Sequence, residues 1–232
     1  MSGPPVLLVH GFASSFERNW REPGWVDLLS EAGRQVIGVD LLGHGSADKP
    51  YDPDAYADLH EDVAAALPAE PGATVDAIGF SLGAIQVLRV ASRSPERFNR
   101  IVVGGIAGSV FSAPGDGNEV LATAIEAGPS EDSHGLVRLF AQFAHSAGND
   151  PKALAACLRR PIAPLTPAEV ARVACPVLVV LGDQDFAGAP DALLDALPDA
   201  RLVTLKGVDH FRTPEAFGFI DAALDFLGAT PR

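Results

Sequence analysis

The stretch Thr74-Val75-Asp76-Ala77-Ile78-Gly79-Phe80-Ser81-Leu82-Gly83-Ala84-Ile85 decides how this chain is read. Its first half is a short apolar run with β-branched residues, which predicts a strand over 74–79. Its second half opens an amphipathic pattern that predicts a helix over 81–93. Between them lies Gly-X-Ser-X-Gly. A chain passing straight from strand to helix here must turn tightly, and a Cβ at Gly79 or Gly83 would collide with a neighbouring strand or helix. Such a turn leaves Ser81 at the helix N-terminus with its hydroxyl exposed. The backbone N–H of Leu82, at the positive end of that helix, then points to where an oxyanion would form.

A serine hydroxyl is a weak nucleophile without a base, and a basic histidine needs a carboxylate to fix its tautomer. Both residue types occur downstream. Asp185 closes Leu181-Gly182-Asp183-Gln184-Asp185 after a predicted strand at 176–182, and His210 closes Gly207-Val208-Asp209-His210 after one at 201–205. Asp183 is the alternative carboxylate, with Asp185 preferred. All three groups fall at the carboxyl ends of predicted strands, where open parallel sheets gather their chemistry. Upstream, His10-Gly11-Phe12 ends another predicted strand. Gly11 permits a sharp bend that turns the Phe12 N–H inward as a second oxyanion donor, while His10 is read as orienting the loop. Gly43-His44-Gly45-Ser46 is a tight turn and lacks the spacing of a phosphate loop. The aromatic stretch with Phe16, Trp20 and Trp25 is read as packing.

Outward from the serine turn, strands are predicted at 5–10, 35–40, 74–79, 100–105, 176–182 and 201–205, with helices at 25–32, 53–67, 81–93, 190–197 and 214–227. This alternation is that of a parallel sheet covered by helices. The interval between 105 and 176 breaks the rhythm and reads as helical, at 118–126, 133–147, 151–159 and 167–173. The expected architecture is α/β: a mostly parallel sheet of about six strands flanked by helices, with core segments 1–106 and 174–232 and a helical cap inserted at 107–173.

With 232 residues, 47% of them apolar, the chain is long enough to bury a core without metal or disulfide staples. Cys157 and Cys175 therefore read as small core residues. Seventeen Lys and Arg against 30 Asp and Glu give a net charge of −13, which disfavours nucleic acid and anionic membranes as partners. The N-terminus lacks a basic n-region and a signal-type apolar run, so a cytoplasmic location is expected.

These residues resemble the α/β-hydrolase superfamily, most closely the small bacterial hydrolases that include esterases, lactonases, cofactor-free perhydrolases and C–C bond hydrolases. The resemblance rests on His10-Gly11, on Gly43-His44-Gly45-Ser46 followed by Lys49-Pro50, on the turn from Gly79 to Gly83, and on Asp185 and His210. It implies Ser81 as nucleophile, His210 as general acid and base, Asp185 as its orienter and the Phe12 and Leu82 N–H groups as oxyanion hole, with no cofactor or metal. Two departures stand out. Only Met1 to Pro4 precede the first strand where the family usually has a hairpin, so six strands and an exposed sheet edge are expected instead of eight. Phe80 and Ala84 occupy positions where the family often carries other residues. Ser81 in place of an aspartate argues against haloalkane dehalogenases and epoxide hydrolases.

In the insertion, Phe111, Phe140 and Phe143 with Leu136, Val137 and Leu139 have the spacing of apolar helix faces, most of which should pack onto the core. Phe80, Phe111, Phe140 and Phe143 are the expected pocket residues; His134 and His145 are expected as surface or capping residues. The expected function is a serine hydrolase cleaving a small, hydrophobic carboxylic ester or lactone through an acyl-enzyme, that small molecule being its one expected partner. The alternatives are a slow-turnover ligand-binding or signalling protein on the same scaffold, and a C–C bond hydrolase. Nothing in the sequence selects an oligomeric state.

Overall fold

The computed structural model describes residues 3–113, 115–130 and 135–231. Six strands, β1 Val6–Val9, β2 Val36–Val39, β3 Val75–Phe80, β4 Phe98–Gly104, β5 Val177–Gly182 and β6 Ala200–Leu205, form one parallel sheet in the order β2-β1-β3-β4-β5-β6. The helices are α1 Trp25–Glu31, α2 His60–Ala65, α3 Leu82–Arg93, α4 Gly117–Ala127, α5 Gly135–Ala144, α6 Pro151–Arg159, α7 Pro167–Val170, α8 Asp191–Ala196 and α9 Phe217–Leu227. This is the α/β architecture expected from the sequence.

Period-two alternation divides the sheet's side chains between two cores. Leu7, Val9, Val75, Ala77, Val177 and Val179 face the layer of α2, α3 and α8. Val6, Leu8, Ile78, Phe80, Leu178 and Val180 face Trp20, Trp25 and the Phe219–Leu227 stripe of α9. Every residue of β1, β3 and β5 is buried, as befits strands covered on both faces. The sheet ends at β2, an edge of four residues, short enough to offer little template for another strand.

Two predicted helices begin later than expected. The segment 53–67 opens with a separate 3-10 turn, Pro53–Tyr56, because Tyr56 dives into the core and its hydroxyl donates to the Pro50 carbonyl at 2.6 Å. The segment 214–227 likewise opens with the 3-10 turn Thr213–Glu215, and the extended Ala216 separates it from α9.

The interval between β4 and β5 is helical. α4, α5 and α6 pack on one another around Ala122, Ile125, Ala141, Ala144 and Leu154. The insertion is fastened to the core by Tyr51 Oη donating to Asp150 at 2.9 Å and by Asn149 Nδ2 donating to the Ala13 carbonyl at 2.9 Å. Cys157 and Val170 belong to the main core cluster, so the stretch 107–173 is not bounded by a packing gap at its C-terminal end. Contrary to the expected apolar face, Leu136 and Leu139 are exposed; the buried stripe of α5 is carried by Ala141 and Ala144, whose small side chains permit close helix contact. His145 donates to the Ile125 carbonyl at the end of α4 (2.7 Å), and His134 lies outside the described residues. Both cysteines are buried and unpaired, and burial pushes each thiol up to about 11. Among the described residues, no helix is long and apolar enough to cross a membrane.

At the amino end of the strands, Arg34 pairs with Asp76 inside the protein, and its remaining donors reach the carbonyls of Pro4 (2.9 Å) and Leu227 (3.1 Å). Asn99 Nδ2 donates to the other Asp76 oxygen at 2.7 Å. At the carboxyl end, the loops after β1 and β2 interlock. The His10 Nδ1–H donates to the Gly11 carbonyl (2.7 Å), while Nε2 accepts from the Leu41 N–H (3.1 Å). That pattern requires a neutral ring, and burial holds the His10 pKa below its usual value. Asp40 accepts from the N–H groups of Phe16 and Ser46, which hold its carboxyl below the usual range although burial opposes them. His44 donates from Nδ1 to the Leu42 carbonyl, and its buried Nε2 has no hydrogen-bond partner among the described residues. Burial, with His10 adding to it, lowers the His44 pKa to about 3.

Removing Asp76 strands a buried guanidinium, so Asp76→Ala should cost about 3–5 kcal/mol in urea unfolding; a loss below about 1 kcal/mol would contradict the role given to this pair. Because the folded pKa of His44 lies below its unfolded value of 6.5, the unfolded chain takes up the proton first as pH falls. Stability is unaffected by this group above pH 6.5 and is lost between there and about pH 3. His44→Gln should flatten the dependence by about 1 kcal/mol per pH unit on average, read from unfolding between pH 7 and 5; an unchanged slope would contradict it.

Candidate active site

β3 ends at Phe80 and α3 begins at Leu82, leaving Ser81 alone in the turn at φ 49°, ψ −114°. Among described non-glycine residues, Ala13 alone shares a positive φ, and such a conformation costs on the order of 1–3 kcal/mol unless its surroundings impose it. They do. The Ser81 N–H donates to the Gly104 carbonyl at 2.8 Å, and its carbonyl accepts from Ile85 at 3.2 Å. A Cβ on Gly79 would lie 2.6 Å from the Ala84 Cα, and one on Gly83 would lie 2.4 Å from the Val9 carbonyl oxygen. The two glycines therefore let α3 close onto β3 and β1. Gly11 and Gly105 leave room for the Phe80 ring, which a Cβ on either would meet within 2.8 Å.

The loops after β5 and β6 approach so closely that a Cβ on Gly182 would lie 2.0 Å from the Val208 carbonyl oxygen. This brings His210 to Ser81: His210 Nε2 is 3.0 Å from Ser81 Oγ, and His210 Nδ1 is 3.0 Å from both carboxylate oxygens of Asp185. The carboxylate can accept only from Nδ1–H, which leaves Nε2 free to accept the serine proton. Asp185 also accepts from the Ala187 N–H at 2.8 Å, and its side chain is fully buried. Asp183, the alternative carboxylate, instead accepts from the Gly207 N–H at 2.7 Å and ties the two loops together. Leu82 directly follows the serine and Phe12 lines the same cavity as Ser81, and neither N–H is bonded to a loop or side-chain acceptor among the described residues.

Ser81 and His210 open into a cavity of about 370 Å³ beneath α4–α6. Of the expected pocket residues, Phe80, Phe140 and Phe143 line it. Phe111 does not, and this corrects the expectation. Its turn, Gly108–Phe111, is tied to the chain at Ala189 and Leu165 by backbone bonds of 3.1 Å, which draw Phe111 onto the main core. Two aromatic walls were not anticipated: Phe186, whose ring centroid lies 4.2 Å from that of His210, and Phe211, which packs on Phe140 at 5.1 Å and Phe143 at 5.2 Å. Each directly follows a member of the Ser81–His210–Asp185 chain in sequence, the one signal that marks them. Arg18, Asn19, Glu22 and Asn118 add a polar rim, while Trp20 and Trp25 are buried in the core as expected. Among the described residues, no three His, Cys, Asp or Glu side chains gather as a metal-binding group.

Residues 6–222 match the alpha/beta hydrolase family. A pimeloyl-[acyl-carrier protein] methyl ester esterase from Nitrosomonas europaea is 29% identical over 90% of this chain and 89% of its own length. A 2-hydroxymuconate semialdehyde hydrolase from a Pseudomonas species is 34% identical over 47% of the chain and 39% of its own length. The chain spans 29% of the length of the first curated relatives it matches, uncharacterized proteins of Mycobacterium, with 32% identity. Among solved structures, the alpha/beta hydrolase MGS-M2 from a deep-sea metagenome library superposes with a TM-score of 0.78 at 17% identity, over 98% of this chain and 90% of that one. With six parallel strands, the serine turn and a match over nearly its full length, the chain belongs to the alpha/beta hydrolase family.

Proposed function

We propose that this protein is a serine hydrolase that cleaves a small, largely apolar carboxylic ester or lactone by acyl transfer to water. The observation that carries the reading is the unbroken contact chain from Ser81 Oγ through the His210 ring to Asp185, with 3.0 Å at each link. Ser81 Oγ attacks the carbonyl carbon as its proton passes to His210 Nε2, and Asp185 stabilises the imidazolium through Nδ1–H. The N–H groups of Phe12 and Leu82 take the negative charge that develops on the carbonyl oxygen, an effect worth about 10²- to 10³-fold per donor. His210 returns the proton to the departing alkoxide. A water deprotonated by His210 then attacks the acyl-serine, and collapse of the second tetrahedral species frees the acid and regenerates Ser81.

The aromatic cavity supports an apolar acyl or alcohol group, with Phe140, Phe143 and Phe211 supplying rigid contact area. None of these steps calls on a metal or an organic cofactor. C–C bond hydrolysis is the second reading, favoured by the similarity to the Pseudomonas semialdehyde hydrolase; a vinylogous diketone assayed beside the esters separates the two. A slow ligand-binding protein would acylate about once per molecule and stall, so steady release after the burst counts against it.

With p-nitrophenyl acetate, butyrate and octanoate, Ser81→Ala should fall to background, since loss of a triad serine costs about 10⁶-fold. Asp185→Asn, which keeps the shape but favours the wrong His210 tautomer, should lose about 10⁴-fold in kcat. Retention of more than about a tenth of the activity by Ser81→Ala would overturn the assignment.

A further inference from the structure

A second concavity adjoins the cavity at Ser81. It is a groove of about 940 Å³ that shares Phe12, Asn118 and Leu158 with the cavity at Ser81. One wall is a single stripe of α3, with Leu82, Gln86, Arg89 and Arg93 spaced by four, three and four residues, and Arg160, just past α6, joins the lining.

The groove leaves polar groups unpaired. Gln86 is 5% exposed and lines the groove, and its side-chain amide has no hydrogen-bond partner among the described residues. Arg89 spends one nitrogen on the Ala163 carbonyl (2.6 Å), and Arg160 spends one on the carbonyl and sulfur of Cys157. A guanidinium carries five N–H donors, so most of each fork is free. Among the described residues, neither cation lies within ion-pair distance of a carboxylate, although the chain carries 30 acidic residues against 17 basic ones. Arg159, one position away, holds both Glu119 and Glu126. Arg93 is already engaged by His60 and lies 4.0 Å from Glu61, and Asp58 lines the groove near His60. Burial lowers the Arg89 pKa; Glu169 opposes this, while the like charges of Arg93 and Arg160 add to it.

We propose that this groove receives the anionic end, a carboxylate or a phosphate, of an elongated acyl substrate whose carbonyl sits at Ser81, with Arg89, Arg160 and Gln86 as its donors. The proposal rests on the acyl-transfer reading and narrows its substrate class. Seven residues of α3 separate Leu82 from Arg89, a rise of about 10 Å, so the anion and the scissile carbonyl are joined by a medium-length spacer. The planar forks suit a compact oxyanion, and the Gln86 amide adds a neutral donor to the same lining.

The test compares kcat/KM for p-nitrophenyl octanoate, p-nitrophenyl hydrogen suberate and a phosphonate-terminated ester of the same length. Wild type should favour at least one anionic ester over octanoate by about ten-fold, mainly through KM, with the preference shrinking at about 0.5 M salt. The carboxylate and phosphonate arms report which oxyanion fits. Arg89→Met and Arg160→Met should each lower the anionic-to-neutral ratio about ten-fold, Arg89→Lys should restore part of it, and Gln86→Glu should reverse it. Equal rates on all three esters in wild type, or a ratio unmoved by the arginine variants, would overturn the proposal. Binding of monomethyl and dimethyl suberate to Ser81→Ala protein separates the groove from the chemistry. Tighter, Arg89-dependent binding of the monoanion without any hydrolysis by wild type would leave the groove standing and sink acyl transfer; hydrolysis without that binding difference would sink the groove alone.

Discussion

The Ser81 backbone, held at φ 49° between a buried strand and a buried helix, is the constraint on which the candidate site depends. A serine would leave this conformation if it could. It stays because the Ser81 N–H is bonded to Gly104, α3 is pressed onto β1 and β3 through Gly79 and Gly83, and Phe80 is wedged beneath Gly11 and Gly105. The strain and the packing are two sides of one arrangement: the sheet and α3 leave no other path for the chain, and the hydroxyl is the group left protruding into the cavity.

The rest of the site is assembled by strand ends. In a parallel sheet every carboxyl terminus faces the same rim, so residues more than a hundred positions apart in sequence converge without a dedicated element to carry them. Asp185 and His210 arrive on loops that touch at Gly182 and Val208, and Asp183 latches those loops together. His10, neutral and buried, fixes the loop that presents Phe12 by accepting from Leu41 of the neighbouring loop. Helices α4–α6 then roof the rim with aromatic and aliphatic side chains, while the groove along α3 leaves cationic donors at one side.

Much of this is legible in the sequence, and the reasons are local. The strands are short β-branched runs whose ends carry glycine or a polar residue, and the Ser81 turn needs small residues at fixed spacing. Asp185 and His210 each lie a few residues past a strand. What is not legible depends on how separate segments pack. Phe111 has the chemistry of a pocket residue but is pulled into the core by bonds to Ala189 and Leu165. Leu136 and Leu139 have the spacing of a buried stripe, yet α5 uses alanines for its contacts. Phe186 and Phe211 become pocket walls because the residue before each is anchored in the site. The groove is invisible to any linear reading, because Arg160 meets the α3 stripe only once α6 has packed against the core.

The most direct test of the central claim is intact-protein mass spectrometry after treatment with a fluorophosphonate, which reacts with a serine activated by a neighbouring base. The account predicts a single covalent adduct on wild type that is absent from Ser81→Ala. No adduct on the wild-type protein, or the same adduct on the Ser81→Ala protein, would contradict it.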